Sequence, residues 1–362
     1  MTPYDSPDFD EHEHVSFFRD AEVGLEVILA IHSTAPIGVS GGGCRRWHYA
    51  TSSLALRDAL RLSRAMSFKL ALMGLPAGGA KAVILAAEGE PKTEASLRAL
   101  GRAVHRLGGR FIAGEDVGTT PADMAIVRTV TPFVVAERPG DDTAAATAQG
   151  VAIAIRRALA QRHETVEGKR VLIQGVGRVG FALAELLARD GARLVVSDVD
   201  KPAVARAHAS FGAEVLEPER CLDAEVDVYA PCALGDAIDA ADVTRLRCSI
   251  VAGSANNPLV DERAAEALHA RGILYCPDFI ANAGGTIGAA RSGAESAGPF
   301  ATLLPNFDRI ADLLGRVFDA SHRSGRSTNA VAVEMARDAV RAMRGQRAAS
   351  PSNGGARATS GG

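Results

Sequence analysis

The sequence predicts an α/β protein of two units, the second of them a doubly wound parallel sheet. Three observations carry this. Apolar β-type runs alternate with amphipathic helical stretches from residue 15 to about 135. A second alternation opens near residue 170 with a strand, a G-x-G-x-x-G turn and a helix, in that order. Between them, ERPGDDTAAATAQG (137–150) is small, polar and turn-rich, and is read as a hinge. A chain of 362 residues is long for one core. The expected units are residues 1–145 and 146–328, with a helix over 329–345 as a candidate to return to the first unit.

In the first unit, VSFFRD and LEVILAIHS read as extended structure, followed by a glycine-rich turn, GVSGGGCRRW (38–47). Residues 52–66 place Leu54, Leu56, Leu60 and Leu62 among charges at helical spacing. AVIL (82–85) is a short buried strand, 96–107 a second amphipathic helix, and FIAGED a strand ending at an acidic pair. In the second unit RVLIQG and ARLVVSD are strands, each followed by a helix. VDVYAPCALG, SIVAGSANNP and ILYCPDFIANAGG then continue a parallel sheet whose strand C-termini share one edge. Helices return from about 303 to 345. The tail, 346–362, lacks apolar bulk to offset its ordering entropy and is expected to be disordered.

Composition excludes several classes. Apolar content of 47% and charged content of 23% are ordinary for a globular protein, and a net charge of -3 with no basic stripe gives no case for nucleic acid. No apolar run approaches the roughly 18 residues a membrane span needs. The acidic start is unlike a targeting segment. The five cysteines are scattered, with no C-x-x-C pair, so neither a disulfide framework nor a zinc site is expected, and a reducing cytoplasm fits. The EHEH stretch holding His12 and His14 is read as a solvated acidic turn rather than a metal chelate.

The motif IQGVGRVG sets Gly175, Gly177 and Gly180, with Arg178 and Val179 between them, after a strand and at the head of a helix. Glycines there allow a tight turn and close backbone approach, and the helix start offers N–H groups to a pyrophosphate. Asp198 ends the next strand and would accept hydrogen bonds from adenosine ribose hydroxyls. Its charge repels a 2′-phosphate, so NAD is expected over NADP in a Rossmann-type unit. Two readings stay open: Asp198 as a helix cap before Pro202, and Arg178 as a phosphate partner that weakens the preference for NAD.

Further anchors fill the chain: GGCRRW (42–47), MSFKLALMGLPAGGAK (66–81), AGEDVGTTPADM (113–124), DVYAPCALG (227–235), AGSANNP (252–258) and PDFIANAGG (277–285). In this order they resemble the leucine, phenylalanine, valine and glutamate dehydrogenases, nearest the branched-chain and aromatic members, over residues 22–345. The resemblance implies a substrate unit and a nucleotide unit with a cleft between them, and oxidative deamination of an L-amino acid to a 2-oxo acid and ammonia, or the reverse. It implies Lys69 as the substrate carboxylate clamp, with backbone of Gly42 and Gly43 at the same end, where a side chain would collide with substrate. Lys81 would be the catalytic lysine, its pKa lowered from about 10.4 by burial and by Lys69 so that it can activate water. Asp116 would take a proton from the substrate amine before hydride leaves Cα for the nicotinamide. Thr147 and Asn256 would lie near the nicotinamide and its ribose, Asn256 also counting with the substrate. Asn282 would lie near the reacting face, and Cys232, Ala233 and Leu234 beside the adenosine. A solvated Lys69 on a helix end and a helix-capping Asp116 are the plain alternatives.

The side-chain pocket departs from that family. Gly41 stands where glutamate-specific members carry a lysine and others a bulky residue, Gly114 is small, and Thr286 and Ala289 replace two valines, with Met66 as a remaining wall. Each change enlarges the cavity, so a large apolar side chain, phenylalanine first and tryptophan next, is expected. Leucine or valine is the alternative if neighbours fill the space. An NAD-binding homologue without catalysis is a reading of another class. A metal-dependent decarboxylating dehydrogenase would need clustered carboxylates, which the sequence lacks, so no metal is expected. A homo-oligomer, dimer or octamer, is expected, with EVILAI able to serve an intersubunit sheet.

Overall fold

A computed structural model describes residues 3–135, 142–294 and 306–349. Its first sheet holds β1 (His14–Asp20), β2 (Leu25–Ile31), β3 (Ser40–Trp47), β4 (Gly78–Leu85) and β5 (Phe111–Glu115), in the order β1-β2-β4-β3-β5. β2 runs antiparallel to both neighbours, whereas β3 is parallel to β4 and β5. The two faces of this sheet follow the strand period of two. Leu25, Val27, Leu29 and Ile31 pack with α2 (Glu94–His105) and α3 (Pro121–Arg128), while Ile28, Ala30 and Val83 meet Ala55 and Ala59 of α1 (Ser52–Leu72). Burial on both faces explains why β2 reads as a continuous apolar run rather than an alternating one.

The second sheet is parallel throughout: β6 (Arg170–Gln174), β7 (Arg193–Ser197), β8 (Glu214–Val215), β9 (Val228–Pro231), β10 (Ile250–Val251) and β11 (Leu274–Tyr275). Its order, β11-β10-β9-β6-β7-β8, reverses between β6 and β9, the Rossmann-type arrangement in which ligands bind beyond the strand C-termini at the reversal. Around it lie α4 (Thr143–Gln161), α5 (Arg178–Arg189), α6 (Lys201–Phe211), α7 (Glu262–Ala270), α8 (Asp278–Ala281), α9 (Gly284–Ala294), α10 (Asp308–Ser324) and α11 (Thr328–Ala349). α1 belongs to both halves. Its last turns, Phe68 to Leu72, join the core made with α4, α10 and α11, and Arg61 pairs with Asp236 at 2.5 Å and donates to the Leu259 carbonyl at 2.8 Å.

Several expectations change. The glycine-rich stretch expected as a turn is strand β3, because backbone of both neighbours crowds it: a Cβ on Gly42 would lie 1.8 Å from the Ala80 carbonyl oxygen. The first helix runs on to Leu72, so Lys69 is inside it. Residues 143–150 of the expected hinge form the first turns of α4, capped by Asp142 and packed through Ala148, so a boundary at 145/146 falls within a helix; 137–141 lie outside the described residues. α11 continues to Ala349, so 346–349 are helical, and the rest of the expected tail lies outside the described residues. β2 is paired on both sides, so the EVILAI strand has no edge for an intersubunit sheet; β1 is the strand at that end. Among the described residues no helix is long and apolar enough to cross a membrane.

His12 is not solvated. It is 8% exposed, with Nε2 3.1 Å from the Leu60 carbonyl and 3.0 Å from Ser63 Oγ, and its ring packs edge-on against His32. Burial pushes His12 down to about 4 and His32 to about 3. Both are neutral in the fold, while the unfolded chain protonates them near 6.5. Stability is therefore greatest above pH 6.5 and drains away as pH falls toward 4, by up to roughly 1.4 kcal/mol per unit for each ring. Urea unfolding across this window should show that loss, and His32→Phe, which keeps the ring contacts, should remove about half of it, leaving the His12 share.

Candidate active site

β4 and β5 are not neighbours, because β3 lies between them. Lys81 of β4 and Asp116, just beyond β5, nevertheless meet at 3.0 Å, with their side chains 4% and 14% exposed. They reach each other across Gly43. A Cβ there would lie 2.7 Å from Asp116 Cβ, 2.7 Å from the Glu115 carbonyl oxygen and 3.2 Å from Lys81 Nζ. Gly42 and Gly43 are thus required by the protein's own backbone and charged pair, where the sequence reading invoked collision with substrate.

Asp116 has a second cation that the sequence reading missed. Arg45 Nε donates to Asp116 Oδ2 at 2.9 Å, the same oxygen Lys81 approaches. Arg45 Nη1 donates to Asp58 Oδ2 at 3.0 Å, and the Tyr49 hydroxyl donates to that oxygen at 2.5 Å. Arg45 is itself buried, and a buried charge must be paired. Burial alone would raise the Asp116 carboxyl; Lys81 and Arg45 outweigh it and hold the group well below the usual carboxylate range.

Lys69 is buried on α1, one turn beyond half-buried Met66. Burial pushes its ammonium down to about 8, with the Lys81 charge adding to the fall and Asp278 opposing it. Neither the solvated reading of Lys69 nor the helix-cap reading of Asp116 survives, since α3 is capped by Thr120. Asp278 is fixed by the Asn257 amide at 2.9 Å and the Tyr275 hydroxyl at 3.1 Å. Space is left at Gly41, where a Cβ would touch nothing within 4 Å, whereas one on Gly114 would make ordinary contact with Gly42 O at 3.8 Å and Val135 Cγ2 at 3.9 Å. Thr286 and Ala289 stand half-buried, one turn apart, on α9.

The nucleotide end is assembled at the sheet reversal. Gly175 takes φ +97° and leaves no room for a side chain beside Ala233, while a Cβ on Gly180 would strike the Gly175 carbonyl at 1.9 Å. A Cβ on Gly177 would meet nothing, so the space above the loop is open, and α5 begins there with no side-chain cap on its N–H groups. That is the donor set a pyrophosphate needs. Val179 is half-buried in the first turn and packs on the core. Asp198 is not a helix cap: it accepts from the Val176 amide at 2.7 Å and the Asp200 amide at 3.0 Å, bracing the loop. Arg178 reaches Glu115 and Asp142, each at 3.4 Å, toward the first sheet.

Cys232 pairs its amide with the Gln174 carbonyl, placing Cys232, Ala233 and exposed Leu234 at the same edge. Asn282 Nδ2 donates to Asn256 Oδ1 at 3.0 Å and to the Ser254 carbonyl at 3.1 Å, leaving Asn282 Oδ1 buried and unpartnered. Thr147, on α4, faces the start of α9, where a Cβ on Gly285 would lie 2.5 Å from its hydroxyl. An orphaned acceptor held beyond β10 and an uncapped glycine loop beyond β6, both at the C-terminal edge of the second sheet, fit a bound nicotinamide nucleotide. Among the described residues no cluster of His, Cys, Asp or Glu could hold a metal.

A buried lysine–aspartate pair set beside a nucleotide cradle defines a pyridine-nucleotide-dependent dehydrogenase. Comparison with known proteins agrees and narrows it. Residues 12–132 match the Glu/Leu/Phe/Val dehydrogenase dimerisation domain, and 141–203 and 199–344 match the Glutamate/Leucine/Phenylalanine/Valine dehydrogenase domain. Leucine dehydrogenase of Bacillus cereus is 38% identical over 354 residues, covering 95% of each chain. L-tryptophan dehydrogenase of Nostoc punctiforme is 38% identical over 336 residues, covering 91% of this chain and 93% of that one. The crystal structure of L-tryptophan dehydrogenase from Nostoc punctiforme superposes with a TM-score of 0.71 at 37% identity, over 92% of this chain and 97% of the other. The chain belongs to the Glu/Leu/Phe/Val amino-acid dehydrogenase family.

Because Gly43 is where Lys81 and Asp116 meet, Gly43→Ala should lower turnover about 100-fold by parting them. Steady-state kinetics beside a melting curve checks this; a folded variant with near-normal turnover would refute it.

Proposed function

We propose that the protein deaminates a bulky apolar L-amino acid, phenylalanine-like or tryptophan-like, and runs the reverse amination. The buried Lys81–Asp116 pair supports this most directly. Lys69 holds the substrate carboxylate, because a desolvated ammonium is a strong partner for an anion that fills its site. Asp116 Oδ1 receives the substrate ammonium and its proton, and Lys81 deprotonates the water that attacks the resulting imine carbon. A bound nicotinamide supplies the hydride acceptor. Asn282 Oδ1 and Thr147 would lie at that ring, Asn256 at its ribose, and Gly175, Gly177, Val179 and Gly180 would receive the pyrophosphate.

NAD is preferred over NADP. Asp198 and the neighbouring Asp200 put two carboxylates at the ribose end, and Arg178, tied to Glu115 and Asp142, turns its charge elsewhere. Open space at Gly41 favours an aromatic side chain over leucine. We also propose a homo-oligomer that uses the first sheet, where β1 is the terminal strand and Phe17 is 62% exposed. A reducing cytoplasm suits five cysteines that are all free.

Two measurements test the reading. Lys81→Ala should abolish turnover of every amino acid while NAD still binds; substantial residual activity would remove Lys81 from its role. In a panel of amino acids read at the nicotinamide absorbance, phenylalanine or tryptophan should exceed leucine in kcat/KM with NAD. Gly41→Leu should then move the ratio toward leucine by about tenfold or more. A wild-type preference for leucine above about tenfold would replace the aromatic assignment with a leucine-type one.

A further inference from the structure

Asp116 carries two cations on one oxygen and makes no hydrogen bond through the other within the described residues. Lys81 Nζ and Arg45 Nε both approach Oδ2, at 3.0 and 2.9 Å. Arg45 is held in turn: its Nη1 donates to Asp58 of α1, and Tyr49, just past β3, donates to the same Asp58 oxygen. The guanidinium is planar, so a bond from Nε and a bond from Nη1 leave in fixed directions. Asp58 on the helix thereby dictates where Arg45 points, and Arg45 dictates which way the Asp116 carboxylate is turned. A lysine at 45 would offer a single ammonium with no such fork.

We propose that Arg45, clamped by Asp58, is a positioning residue that turns Asp116 so that Oδ1 faces the substrate ammonium and Oδ2 is reserved for the two cations. The inference rests on the deamination proposed above. It assigns a division of labour within one carboxylate: Oδ2 is structural and electrostatic, and Oδ1 is the oxygen that meets substrate. Arg45 touches neither substrate nor cofactor and acts through Asp116. A buried ion pair serving only to hold β3 against α1 would have no reason to end on the same oxygen as Lys81.

The test compares Arg45→Gln, Arg45→Lys and Asp58→Asn with wild type in amino-acid turnover, NAD binding and the pH profile of kcat/KM. Other charged or titratable groups acting on Asp116 are Lys81, Lys69, Cys44 and Tyr49, and all are retained in these variants. Arg45→Gln should lower kcat about 100-fold, with NAD affinity unchanged. It should also move the acid limb of kcat/KM upward by about one unit or more, because losing a cation beside the Lys81–Asp116 pair favours the protonated form of both groups. Arg45→Lys should lose kcat without that shift. Asp58→Asn should lose kcat about tenfold with no upward shift, since the guanidinium remains but is unclamped. Should Arg45→Gln fail to fold, the other two decide. Normal kcat in folded Arg45→Lys and Asp58→Asn overturns the proposal, as does an identical upward shift of the acid limb in Arg45→Gln and Asp58→Asn. A wild-type enzyme inert toward every amino acid would instead overturn the deamination reading, so the two failures are distinguishable.

Discussion

The site depends on one vacancy in a strand. β3 runs between the strand that carries Lys81 and the strand just before Asp116, and at residue 43 it projects nothing between them. Parallel neighbours in a sheet stand about 4.8 Å apart, so groups two strands away meet only if the strand between them is bare. The glycine run therefore works as a window, framed by the backbones that hold β3 in register with β4 and β5. Any side chain at 42 would strike Ala80 and unseat the strand itself, which ties the fold and the chemistry to the same two residues.

Around that window the charges are arranged so that no buried ion stands alone. Lys81 and Arg45 share Asp116, Arg45 also holds Asp58, and Lys69 is offset by Asp278 at the start of α8. Taking such groups out of water is costly unless each is paired and hydrogen-bonded. The network offsets that cost with short bonds, and Lys69, which has the least intimate partner, is the ammonium pushed toward neutrality. On the function proposed above, a substrate carboxylate at Lys69 would complete that balance.

Much of this was legible in the sequence. Strand-glycine-helix order located the uncapped loop between β6 and α5, and Asp198 follows the next strand because spacing within a β-α-β unit is set by helix length. Lys69, Lys81 and Asp116 stood out through the family resemblance. Arg45 did not, because its partner Asp58 comes from a helix whose register on the sheet no local pattern records. The glycine stretch at 41–43 departs from expectation for a related reason. Local propensity says turn, whereas two parallel neighbours impose an extended backbone. His12 was assigned to solvent from its acidic flanks, yet the polar groups it needs, the Leu60 carbonyl and Ser63, are supplied nearly fifty residues downstream.

Helix α1 is common property of the two sheets. Its first half lies against β2 and β4, and its last turns are embedded with α4, α10 and α11. Melting either sheet strips apolar cover from the other through this single rod, so the two halves lack the independence of beads on a string. Heat should take the molecule apart in one cooperative step.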